Sequence, residues 1–388
     1  MTRCPVAVSV IWVALWGFQL SAADEMLRSR CAFQLFPSAP SRHSFFSQWS
    51  DAASRWKYWQ PRRPARLPLI CAERSMRLSV DFPSGVQTEY EVSQDELCLD
   101  TGSVHVWMVE EKATSRLDED FVQRMCALLS PQEQARYNKQ MTNPKAKDQA
   151  YSFLLARTLL RTTLSRYCPS VEPHEWIFVT NKYGRPCVSW DLSLGFKPFH
   201  QELRALRFNL SHCNGLVICA FALGREIGID SESTSRRGRT MSVAKRFFTE
   251  DEFKALQLVP AHAQALTFFR LWTLKEAYVK ARGLGIAAIG LDNFEFSGIE
   301  LLQEEWPQGE VRADLSKAGD RAAEWQFVVL NLGTEHAAAV AVSCPGRSGP
   351  AQLHFFRTVP LGGPDLVLDS AQIQAAQCFD GECAVFDT

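Results

Sequence analysis

The sequence predicts an α+β protein, a pseudo-dimer of two similar α/β halves in one chain. Between Ser103 and Ser343 the order of an alternating strand, two helices and antiparallel strands occurs twice. In the first half Asn214-Gly215 joins two apolar runs, "LRFNLSH" and "LVICAFAL", as a tight hairpin turn would. A cleft between two such halves is the natural place for an active site.

The first half opens on the strand "VHVWMV". A helix follows at Ser130-Pro131, with Ser as the cap and Pro at the first helical position. A second helix spans about Lys147–Tyr167, with Leu154, Leu155, Leu159 and Leu160 spaced for burial. The strand "WIFVTN", the turn "NKYGRP" and the hairpin complete this half. The second half starts with the strand "EIGID" and passes through the helices "SVAKRFFTEDEFKAL" and "AQALTFFRLWTLKEAYVKAR". It ends in the strands "FEFSG", "EVRADL", "WQFVVLNL" and "HAAAVAVS". The boundaries are then 103–224 and 225–345, followed by a Gly- and Pro-rich tail, 346–388. Within that tail "AQLHFFRTVPLGG" reads as one more strand or a packing arm.

A net charge of −1 gives no global bias toward nucleic acid, so any electrostatic recognition must be local. The 12 cysteines are scattered, without a C-x-x-C pair or zinc spacing, and read as buried or idle thiols in a reducing compartment. The N-terminus differs from the rest. Residues 1–23 combine Arg3, an apolar run from Val6 to Leu20 and small residues at Ser21–Ala23, the pattern of a secretory signal too short for a stable membrane span. Residues 24–100 form a leader whose first part, Met26 to Ala72, is rich in Arg and Ser and has one acidic residue, Asp51. Together they resemble the two-part leader of proteins sent to plastids bounded by extra membranes. The alternative is a cytoplasmic protein whose translation starts internally, at Met76 or Met108.

The chemistry concentrates in two segments. In "FFRLWTLKEAYVKARGLGI", helical spacing puts Trp272, Glu276 and Lys280 on one stripe of an otherwise apolar helix. In "REIGIDSESTSRRGR", Asp230 and Glu232 lie two apart at a strand end, so both point to one side, ~7 Å apart. A solvated acidic strand end is one reading. The other is a divalent-cation site, with Mg²⁺ taking carboxylate oxygens from Asp230, Glu232 and Glu276 and leaving positions for water and phosphate. Ser211 and His212 beside the hairpin turn, Lys182 and Arg185 on a loop that Gly184 tightens, and Arg136 and Lys147 on the first-half helices suit a polyanionic ligand.

"GIDSE", "AKRFFTEDEF" and "WTLKEAYVKARGLG", preceded by "YGRP" and "NLSH", resemble the 4′-phosphopantetheinyl transferases of the large single-chain type, which activate surfactin synthetase or aminoadipate reductase. The resemblance covers about Ser103 to Ser343 and implies that family's fold. It implies transfer of the phosphopantetheine arm of coenzyme A to a serine of an apo carrier protein, releasing adenosine 3′,5′-bisphosphate, as a holo-acyl-carrier-protein synthase does. Asp230, Glu232 and Glu276 would then hold Mg²⁺ against the pyrophosphate, Lys280 would neutralise charge developing there, and Glu276 would be the general base. Coenzyme A would be gripped by Arg136, Arg185, Ser211 and His212, with Lys147, Lys182, Gly184, Asn209, Lys275 and Lys280 completing its site; Lys147 and Lys145 are the substitutes for Arg136.

The implied partner is an acyl carrier protein or carrier domain with an acidic helix. It would dock on Arg236, Arg237, Arg239, Lys245 and Arg246, with Met241, Val243, Phe247 and Phe248 interleaved. Both sides of the cleft lie on one chain, which favours a monomer. Two rivals are open at this point: another Mg²⁺-dependent phosphoryl enzyme, such as a nucleotide hydrolase, and a carrier-binding module without chemistry.

Overall fold

Apolar alternation builds the central strands. In a computed structural model, residues 76–81, 87–92, 99–111, 119–190, 204–235, 240–299, 311–332, 335–345, 349–361, 366–368, 375–379 and 382–385 are described. All belong to one unit, Arg66–Thr388. A hairpin of β1 (Met76–Asp81) and β2 (Gln87–Val92) occupies the end of the segment expected to be leader. Its alternating "MRLSVD" and "QTEYEV" carry the strand pattern that the leader reading passed over.

The first half contributes β3 (Ser103–Glu110), α1 (Glu119–Ala127), α2 (Pro131–Met141) and α3 (Lys147–Tyr167). A short ribbon follows, β4 (Phe178–Thr180) with β5 (Pro186–Val188), and then the hairpin β6 (Leu206–Cys213) and β7 (Leu216–Leu223). Ser130 caps α2, and Glu133 returns the bond to the Ser130 amide.

The second half runs β8 (Ile227–Ser233), α4 (Thr240–Phe247), α5 (Glu250–Leu258), α6 (Gln264–Arg282) and α7 (Ile286–Ile289). The ribbon β9 (Glu295–Ser297) with β10 (Arg312–Asp314) precedes β11 (Trp325–Asn331) and β12 (His336–Ser343). The segment expected to be one helix, "SVAKRFFTEDEFKAL", is two. Thr249 accepts from the Glu252 amide and Glu252 bonds back to the Thr249 amide, so a capping box starts α5 where the expected helix would continue.

The tail is part of the fold. Its strands are β13 (Gln352–Arg357), β14 (Leu366–Leu368), β15 (Ala375–Phe379) and β16 (Glu382–Val385). One five-stranded sheet has the order β14-β13-β3-β7-β6 and the other β16-β15-β11-β12-β8. β13 lies parallel to β3, and β15 lies antiparallel to β11, so the tail extends both sheets. One face of each sheet supplies a shared apolar core that includes Val104, Val106, Ile218, Ile229, Val328, Val340 and Phe355. The other face of the second sheet is covered by α6 and is built small. Gly228 on β8 stands opposite Ala341 on β12, and Ala339 stands opposite Asp230. A Cβ at Gly228 would lie 2.0 Å from the Ala277 carbonyl oxygen, so only glycine admits the helix at this distance.

Candidate active site

Close approach of α6 to β8 creates the site. Gly228, Asp230 and Glu232 alternate with Ile227 and Ile229 along β8, so the acids face the helix while the isoleucines enter the core. Asp230 and Glu276 are buried, and Lys280 reaches in from one turn further along α6. The Lys280 ammonium donates to Asp230 Oδ1 at 2.6 Å, to the Ile229 carbonyl at 3.2 Å and to Ser211 Oγ at 3.2 Å. Ser211 Oγ donates to Asp230 Oδ1 at 2.9 Å. Asp230 Oδ2 and Glu276 Oε1 are buried without a hydrogen-bond partner. Burial pushes the Glu276 carboxyl well up, and the nearby charge of Asp230 pushes it further. Burial also raises the Asp230 carboxyl, against the pull of Lys280.

Two orphaned carboxylate oxygens that disfavour each other's ionisation are a chemical fit for a hard divalent cation. The expected cage of Asp230, Glu232 and Glu276 is not gathered, however: among the described residues no group of three or more His, Cys, Asp or Glu side chains is placed to hold a metal ion. At Asp230 the Lys280 ammonium neutralises Oδ1, and Oδ2 is the oxygen left without a partner.

A cationic patch adjoins the carboxylates. Half-buried His212 sits among Lys280, Arg157 and Arg136; burial first, then these three charges, lower its pKa to about 3 and keep the imidazole neutral. The Arg136 and Arg157 guanidiniums lie over the Phe153 ring at 4.6 and 5.3 Å. Neutral imidazole, two guanidiniums and an ammonium beside buried carboxylates can bind a phosphate-rich ligand and a cation side by side.

Comparison with known proteins decides what this geometry belongs to. The sequence model of the 4′-phosphopantetheinyl transferase superfamily matches residues 226–341, the strand and helix that carry the site. The 4′-phosphopantetheinyl transferase HetI of Nostoc sp. is 36% identical over 195 residues, 50% of this chain and 74% of HetI. The 4′-phosphopantetheinyl transferase Sfp of Bacillus subtilis is 30% identical over 178 residues, 46% of this chain and 70% of Sfp. A phosphopantetheinyl transferase of Thraustochytrium sp. is 30% identical over 210 residues, 51% of this chain and 66% of that protein. The chain belongs to the 4′-phosphopantetheinyl transferase superfamily.

Within the transferase, the residues expected to touch coenzyme A divide. Arg136 and His212 come together with Lys280. Lys275 does not join them. It is fully buried and donates to Glu252 Oε1 at 2.7 Å and to the Leu291 and Phe294 carbonyls at 2.8 and 2.7 Å. Neighbouring helix residues project about 100° apart, so Lys275 leaves the face that Glu276 shares with Lys280. The Asn209 amide is also committed, its oxygen accepting from the Ile229 amide at 2.9 Å. Arg185 is clamped by Glu226 at 2.5 Å and by the Ala281 carbonyl at 2.8 Å, joining the "YGRP" loop to the far end of α6. Gly184 supplies that loop's left-handed turn, φ +88°. Lys182 and Lys147 are exposed, as is Lys145, and the Lys182 ammonium lies over the Tyr183 ring.

On the expected docking segment Lys245 is exposed, Phe247 is half-buried against Trp272 and Phe248 is in the core. Arg236, Arg237 and Arg239 lie outside the described residues. Arg157 was missed. A cation inside the Leu-rich stripe of α3 was the available signal: its guanidinium and that of Arg161 share Glu133, at 3.4 and 2.7 Å. Burial would raise the Glu133 carboxyl, but Arg161 and Arg157 hold it below the ordinary range.

Proposed function

We propose that the chain is an Sfp-type transferase that moves the 4′-phosphopantetheine arm of coenzyme A onto a serine of an apo acyl or peptidyl carrier, with Mg²⁺ as the metal. The carrying observation is the buried pair Asp230–Glu276, each with an orphaned oxygen, beside the Lys280–His212–Arg136–Arg157 patch. Asp230 and Glu276, with Glu232 completing the set, would hold the cation, which when bound supplies charge neutralisation at the pyrophosphate.

Arg136 and His212 would take the adenosine phosphates. Lys280 stabilises the negative charge that grows on the departing bisphosphate. The carrier serine Oγ–P bond forms as the P–O bond to the adenosine 5′-phosphate breaks, and the serine proton moves to the Glu276 carboxylate, directly or through a water.

The halves reading draws support from strand order: β3-β7-β6 and β8-β12-β11 each run first, last, last-but-one strand of a half. We further propose the acidic-carrier dock at Arg236, Arg237, Arg239, Lys245 and Phe247, a monomeric enzyme and the plastid-directed leader; exposed Lys245 beside half-buried Phe247 supports the dock. The plastid address favours a fatty-acid carrier and a holo-acyl-carrier-protein synthase role.

Intact-mass spectrometry of an apo acyl carrier protein, incubated with the full chain, coenzyme A and Mg²⁺, tests the reading. The carrier gains one phosphopantetheinyl arm, and Asp230→Ala, Glu276→Ala or a chelator abolishes the gain. Coenzyme A cleaved without a carrier would replace this reading with a hydrolase.

A further inference from the structure

β6 and β8 are the facing edges of the two sheets, and side chains bridge them. Asn209 and Ser211, two apart on β6, both reach toward β8: the Asn209 oxygen accepts from the Ile229 amide and Ser211 Oγ accepts from the Ser231 amide at 3.2 Å. Only Ser211 stands level with the acid, 2.9 Å from Asp230 Oδ1. A hydroxyl has one proton and two lone pairs. The Ser231 amide takes one lone pair and the Lys280 ammonium the other, so the proton goes to Asp230 Oδ1. In this arrangement the Ser211 proton is directed at Asp230, whereas the family resemblance implied a contact with coenzyme A. Ser211 and Lys280 together occupy Oδ1, and the other oxygen of the same carboxylate, Oδ2, is left buried and unpartnered.

We propose that Ser211 is a positioning residue: its hydroxyl fixes the Asp230 carboxylate so that Oδ1 stays with Lys280 while Oδ2 is presented to a divalent cation. The proposal rests on the transferase reading, and it makes β6 of the first half responsible for a cation site carried by the second. Ser211 acts on the reaction through Asp230.

The test measures Mn²⁺ binding to the full chain by electron paramagnetic resonance, without coenzyme A or carrier, for wild type, Ser211→Ala, Ser211→Thr and Asn209→Ala. Binding of adenosine 3′,5′-bisphosphate is measured in EDTA by calorimetry, and thermal unfolding in EDTA verifies folding. Ser211→Ala raises the Mn²⁺ Kd about tenfold or more, as losing the partner that orients a ligand does, and leaves bisphosphate affinity within twofold. Ser211→Thr restores Mn²⁺ binding. Asn209→Ala lowers the unfolding temperature with the Mn²⁺ Kd within twofold.

An unchanged Mn²⁺ Kd in Ser211→Ala overturns the proposal, as does a tenfold loss of bisphosphate affinity with Mn²⁺ binding intact. If Ser211→Ala does not fold, Ser211→Cys takes its place under the same criteria. A wild-type chain that neither binds Mn²⁺ nor modifies a carrier sinks the transferase reading itself. One that does both, while Ser211→Ala binds Mn²⁺ normally, sinks only the role given to Ser211.

Discussion

Helix α6 carries two buried charged groups on faces about 100° apart, Lys275 and Glu276, and they have opposite fates. On one side Lys275 and Glu252 form a closed network. The ammonium has three acceptors, and Glu252 also takes the Phe296 and Thr249 amides. On the other side Asp230 and Glu276 each retain an orphaned oxygen. Both clusters would cost free energy if left unpaired, but only the first has its partners within the chain. A satisfied buried ion pair is architecture. Two buried carboxylates with unpartnered oxygens, one on β8 and one on the helix that Gly228 lets close, are not satisfied within the chain.

Four changes would break or sharpen that contrast. Lys275→Ala strands a buried carboxylate and should lower stability by about 3–5 kcal/mol. The double change Lys275→Met with Glu252→Gln recovers most of it in urea unfolding. Lost coenzyme A affinity at full stability would instead move Lys275 into the site.

Glu276→Gln should act in the reverse sense. It relieves repulsion with Asp230, so the unfolding temperature in chelator holds or rises, while the transfer rate falls by about 10²–10³-fold, the range for removing one preorganised charge contact. A rate within tenfold of wild type would take Glu276 out of the chemistry.

Gly228→Ala forces α6 away from β8, since the new methyl meets the Ala277 oxygen at 2.0 Å and the Ala281 nitrogen at 2.4 Å. About 1–3 kcal/mol should be lost, as in other overpacked cores, together with Mn²⁺ affinity. Retained Mn²⁺ binding would show that the cation site does not need this spacing.

The smallest effect concerns His105, buried behind the first sheet with Nδ1 2.9 Å from the Tyr167 hydroxyl. Burial, then His354, lowers its pKa from 6.5 to about 3. The unfolded chain therefore binds the extra proton between those values. Its contribution is full above about pH 6.5 and is lost as pH falls toward 3. His105→Phe should flatten the pH dependence of stability by up to one proton across that window. An unaltered slope would show that the ring titrates normally in the fold.

Patterns local in sequence were legible. The second helix occupies Lys147–Tyr167 as read, and the Asn214-Gly215 turn joins β6 to β7. Paired carboxylates on one face of β8 and the Glu276–Lys280 stripe were visible from periods of 2 and 3.6. The capping box at Thr249 was also available, as T-x-x-E, but an uninterrupted amphipathic pattern hid it. What depended on partners distant in sequence was not legible. Nothing near Lys275 announces Glu252 and two carbonyls, and nothing near Asn209 announces the Ile229 amide across the sheet boundary. Arg157 went unread because its carboxylate partner, Glu133, lies 24 residues away on another helix.

The parallel pairing of β13 with β3 has a consequence for how the chain is made. A ribosome delivers β3 early, but residues 352–357, which cover one of its edges, emerge after both halves have been synthesised. Until then "VHVWMV" presents an open, apolar strand edge, the kind of surface that invites wrong pairing between nascent chains. A release delayed at the last turn of translation, or a stop codon shortly before β13, would leave that edge bare.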